Sequence, residues 1–170
     1  DASHDAGFIV LQGGELRAPN AAVVSASDTQ GSAETETPTV ILAVDKITLP
    51  GSLTVNCNGN TGTSVKLAPK GSAGLDIVNI DYTQPIRPQS VSPVVHELAI
   101  TGAGSLTLTA NSKNGSILCS GDPLRFANQG ATHIESEGDG SIIELKFAGS
   151  PSGQDSLIFS GGAVEVVADN

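Results

Sequence analysis

Apolar and polar residues alternate along much of the chain in short runs: Leu106 and Leu108 against Thr107 and Thr109, then Ile143, Leu145 and Phe147 against Glu144 and Lys146. A period of two puts the apolar set on one face of a half-buried strand. Each run is fenced by Gly, Ser, Asn or Pro, and no segment carries a helical period over an ordinary helix length. The pattern predicts an all-β chain, with strands over 21–25, 39–48, 52–58, 63–68, 75–82, 94–100, 105–110, 116–119, 124–126, 132–135, 141–147, 156–159 and 163–167. The run at 39–48 is the longest and is expected to bend near Asp45. Gly7-Phe8-Ile9-Val10-Leu11-Gln12, closed by Gly13-Gly14, is too short for a helix and reads as a buried strand.

Residues 27–38 read as a polar loop or linker, and 83–93, with Pro85, Pro88 and Pro93, as a loop or edge segment, since proline donates nothing to a strand ladder. Gly59-Asn60-Thr61-Gly62 and Asn111-Ser112-Lys113-Asn114-Gly115 are the expected hairpin turns, because Gly and Asn tolerate positive φ. About ten to twelve of these short segments taken as strands suit two packed sheets, so the expected fold is one β-sandwich domain over 1–170, immunoglobulin-like or jelly-roll-like, with 1–14 as an N-terminal extension. Gly51-Ser52-Leu53-Thr54 is echoed by Gly104-Ser105-Leu106-Thr107, but in so narrow a strand vocabulary four residues do not establish a repeat.

Composition sharpens this picture. The 170 residues fill one core burying roughly 70% of the extended-chain surface, and with no Trp, no Met, one Tyr and four Phe that core is built from Val, Ile, Leu and Ala. Charged residues are 15% of the chain and the net charge is −10. Eight scattered bases do not make a nucleic-acid footprint, and an anionic membrane surface would repel the chain. No segment has the roughly 18 apolar residues of a membrane span. A Ser-, Thr-, Gly- and Asn-rich surface, and a first residue Asp1 read as the product of signal-peptide removal, point to an extracellular setting.

Cys57 shares a strand face with Leu53 and Val55, and Cys119 shares one with Ile117. Two inward cysteines in a secreted chain predict one inter-strand disulfide, stabilising by about 4 kcal/mol. The alternative is two separate buried thiols acting as small hydrophobes.

Candidate chemistry is sparse. His4, His96 and His133 stand apart, no Gly-x-Ser-x-Gly elbow occurs, and a non-enzymatic protein without a cofactor is expected. Glu135, Glu137 and Asp139, beside Gly138 and Gly140, are the densest acidic cluster; they are the Ca²⁺ candidates, although a solvated turn explains them and no EF-hand spacing is present. With no Trp and only Tyr82, an aromatic sugar platform is poorly supplied, so a carbohydrate-binding module would need that metal. Asn114-Gly115-Ser116 is a glycosylation triplet on an expected hairpin tip. Lys46, Lys66 and Lys146 are the lysines that an internal isopeptide bond would use.

The alternation, the inward cysteines, the aromatic-poor surface and the leading apolar run together resemble extracellular pilus and fibre subunits of the strand-exchange kind. The chain ends Val166-Val167-Ala168-Asp169-Asn170 and lacks the penultimate tyrosine of chaperone-assembled pilins. The resemblance implies a head-to-tail homopolymer in which Gly7, Phe8, Ile9, Val10, Leu11 and Gln12 form a donor strand that completes a neighbour's sheet. The alternatives are a secreted Ca²⁺-dependent ligand- or carbohydrate-binding module and a virion surface protein.

Overall fold

The computed structural model describes residues 7–27, 37–70, 97–147 and 157–169. These form thirteen strands: β1 (Phe8–Arg17), β2 (Ala22–Ser27), β3 (Thr39–Thr48), β4 (Leu53–Thr61), β5 (Ser64–Ala68), β6 (Leu98–Gly102), β7 (Leu106–Lys113), β8 (Ser116–Ser120), β9 (Leu124–Asn128), β10 (Thr132–Glu137), β11 (Ile142–Lys146), β12 (Leu157–Phe159) and β13 (Val164–Asp169). The expected segments at 75–82 and 83–93 lie outside the described residues, as does the start of 94–100.

Among the described residues every strand pairing is parallel. The strands make an eight-stranded and a five-stranded sheet, the smaller ordered β13-β10-β7-β4-β2. One whole edge of β3 is taken by β1, so β5 and β6 share the other, β5 along Thr39–Ala43 and β6 along Lys46–Thr48. The larger sheet thus has two flanks, β5-β8-β11 and β6-β9-β12, and the long strands β1 and β3 run through both. The chain visits second flank, smaller sheet, first flank, and then repeats one strand spacing further on. This is a β-solenoid, a coil of three strand segments per turn.

The sandwich expectation is therefore corrected. Alternation reports that one face of a strand is buried; it does not report the direction of the neighbouring strand, which is a long-range choice. The two expected hairpins are corrected with it: β4 and β5 lie in different sheets, as do β7 and β8, so Gly62 and Asn114 turn corners of the coil. Gly62, Asn114 and Gly140 stack at this corner with φ of 68°, 57° and 76°, Gly62 N–H donating to Lys113 O and Asn114 N–H to Asp139 O. Only Gly, and less readily Asn, takes that left-handed conformation at low cost.

The core lies inside the coil and is built in columns. Leu42, Leu67 and Cys119 stack in register, as do Val55, Leu108 and Ile134, and all six are buried. A second apolar cluster, Ile41, Ala43 and Ala68 with Phe8 and Val10 packed against it, comes from the alternate positions of β1, β3 and β5. Both faces of these strands are thus covered. That explains the unbroken runs Phe8–Leu11 and Val40–Val44, since a strand buried on both sides loses its polar alternation.

The disulfide expectation is also corrected. Cys57 on β4 pairs across to Ala110, while Cys119 on β8 pairs to Leu67 and Leu145 in the other sheet. Both are free buried thiols. In a coil an inward side chain meets its column and the facing wall; two inward cysteines in different columns need not be neighbours.

Candidate functional site: the open ends of the coil

The leading run, expected as a donor strand, pairs within its own chain: Phe8, Ile9, Val10, Leu11 and Gln12 lie opposite Thr39, Val40, Ile41, Leu42 and Ala43, and Gly7 O accepts from Thr39 N–H. Its inward residues Ile9 and Leu11 join the core. A donor role that closes an incomplete sandwich falls with the sandwich. Among the described residues β1 pairs with β3 alone, and no other described strand lies along its second edge.

At the far end β11, β12 and β13 each pair with a described strand on one edge alone. The column that starts at Leu16 continues through Ile47, Ile100 and Phe126 to Phe159. Its inner members are at most 1% exposed, whereas Phe159 is 49% exposed. Val166 ends the column of Val55, Leu108 and Ile134 and is 45% exposed, and Ile142 on β11 is 62% exposed. Partly exposed apolar side chains thus lie beside strand edges that no described strand pairs, the features by which a sheet can accept a further strand.

The corner between the second flank and the smaller sheet sets how close successive coils come. A Cβ on Gly104 would fall 1.5 Å from the Gly51 carbonyl oxygen, one on Gly130 2.6 Å from the Gly104 carbonyl carbon, and one on Gly162 2.5 Å from the Gly130 oxygen. Buried Asn128 fastens this corner: its amide donates to Gly104 O at 3.2 Å and to Gly130 O at 2.9 Å, and its oxygen accepts from Thr132 Oγ1 at 3.0 Å. Nothing in residue type alone distinguished Asn128 from a surface turn. The signal that could have found the column is the Gly-Ser-Leu-Thr echo, whose residues stack directly, Leu53 on Leu106 and Thr54 on Thr107.

Several titratable groups are engaged locally. His133 on β10 sits between two carboxylates, Nε2 at 3.1 Å from Glu135 Oε2 and Nδ1 at 3.0 Å from Glu165 Oε2 of β13. The hydrogen bond that His133 donates to Glu135, then that to Glu165, holds the imidazole pKa above its ordinary value despite some desolvation. Glu137 and Asp139 are exposed, and among the described residues no group of three His, Cys, Asp or Glu side chains is placed to hold a metal ion. Burial pushes the thiols up, Cys57 to about 11 and Cys119 to about 12. The Cys57 thiol donates to Pro38 O at 2.9 Å. Asn114 is exposed at its corner; Lys46 faces Glu15 at 3.9 Å and Lys146 faces Glu144 at 3.1 Å, while Lys66 is buried. His4 and His96 lie outside the described residues. Among the described residues no helix is long and apolar enough to cross a membrane.

The chain matches no protein-family model, no curated protein and no solved structure.

Proposed function

We propose that this protein is a non-enzymatic structural subunit of an extracellular filament that grows along the coil axis. One observation carries the reading: among the described residues the apolar columns are closed inside the coil and open at its two ends, where β1 and β2 at one end and β11, β12 and β13 at the other have an edge that no described strand pairs. Because all strands run parallel, the two ends are different surfaces. A contact between unlike ends does not close on itself and generates a fibre.

Among the described residues, the histidine and the two thiols are engaged in ways that do not suit catalysis. Both ring nitrogens of His133 are occupied by carboxylates, and both thiols are buried with raised pKa values. The extracellular setting rests on the sparse charge and the Ser-, Thr- and Gly-rich composition.

Negative-stain microscopy and sedimentation over a range of protein and salt concentrations test the proposal. Fibres or a concentration-dependent ladder of oligomers are expected, favoured by salt, which screens the repulsion between subunits of net charge −10. A monodisperse monomer under all conditions overturns it.

A further inference from the structure

We infer a specific junction, resting on the filament reading: the Phe8–Gln12 half of β1 in a second copy of this chain pairs in parallel with β11 of the first. The argument is the order in which the chain visits the faces of the coil. Its first described segment, 8–12, lies on the flank of β5, β8 and β11, and its last described strand, β13, lies on the smaller sheet. In every inner turn the smaller-sheet strand is followed by a strand on that same flank: β4 by β5, β7 by β8, β10 by β11. A second copy placed beyond β13 therefore supplies the next segment of the spiral in sequence, with the strand direction the sheet requires. No other placement of the N-terminal end continues all three faces at once.

The register follows from the columns. Ile142 stands in the column Ser116, Ser64, Thr39, Phe8, so its partner across the junction is the second copy's Phe8. Leu145 and Leu11 end one inward column and meet in the same way, and Phe159 meets Leu16. Each of these meetings covers apolar surface that is at present only partly buried or exposed. Gln12 falls opposite Lys146, and Val10 opposite Glu144, so this strand pair opposes no like charges.

One corner resists. The position held by Gly51, Gly104, Gly130 and Gly162 in later turns is Asn20 in the first, and its Cβ would point at the Gly162 backbone of the preceding copy. The junction is therefore held by the two flanks and is slightly open at this corner. Asn20→Gly is expected to tighten it.

The test mixes two singly substituted full-length chains, Phe8→Cys and Ile142→Cys, under oxidising conditions. Within one chain the two positions are four strand spacings apart, about 19 Å, far beyond the reach of a disulfide. Mixed chains are expected to give a covalent 1:1 dimer, lost when Gln12→Cys replaces Phe8→Cys, a displacement of about 13 Å along the strand. Asn20→Gly placed in the Phe8→Cys chain is expected to raise the yield. Fibres without the mixed crosslink, or with same-residue crosslinks instead, overturn the junction and leave the filament reading intact. Chains that neither crosslink nor associate overturn both.

Discussion

The rings of Phe126 and Phe159 stack with centroids 5.5 Å apart and planes 18° apart, yet Phe126 is 1% exposed and Phe159 is 49% exposed. The pair marks where the closed column becomes an open end. Phe126→Ala empties a fully enclosed site and is expected to cost about 3–5 kcal/mol in urea unfolding. Phe159→Ala removes a half-exposed ring over the same column and is expected to cost about 1–2 kcal/mol. Equal costs would mean that the two rings are equally enclosed.

Glycine at the inter-coil corner is a steric requirement. Gly104→Ala places a methyl 1.5 Å from the Gly51 carbonyl oxygen, which only separation of the coils relieves. Destabilisation by more than about 4 kcal/mol, or failure to fold, is expected. Gly14→Ala on β1 meets nothing within 4 Å and is expected to be neutral or to stabilise by about 0.4–1 kcal/mol. Thermal melts of the two variants check the contrast.

The His133 bracket predicts a pH dependence. A neutral imidazole has one N–H and satisfies one of its two carboxylates; the imidazolium satisfies both. Because the folded pKa is raised by Glu135 and Glu165, the stabilisation is fully present below the unfolded pKa of about 6.5 and is lost as pH rises through the higher folded value. Nuclear magnetic resonance is expected to show His133 titrating above 6.5. His133→Gln is expected to flatten the corresponding fall in melting temperature, and an unchanged profile would show that the bracket does not couple to β13.

Separate buried thiols predict a chemical outcome. Native protein is expected to react slowly with a thiol reagent, and protein denatured without reductant is expected to take up two alkyl groups, one each at Cys57 and Cys119. No uptake without reductant would restore the disulfide.

Among the described residues most strand positions were legible in the sequence because the period of two is a property of one strand. The expected run at 39–48 is β3 with the same bounds, and its partner changes from β5 to β6 between Ala43 and Lys46, beside the bend expected at Asp45. Local polarity likewise placed Cys57 and Cys119 inward. The coil itself was not legible. Stacked positions are 31 residues apart from Ala22 to Leu53, 53 from Leu53 to Leu106, 26 from Leu106 to Thr132 and 32 from there to Val164, so no constant period reaches the eye. Only the packed structure decides which strands become neighbours, because pairing is settled by contacts between residues far apart in the chain. The Gly51 and Gly104 echo, the separation of the thiols and the open ends acquire meaning once the turns are stacked.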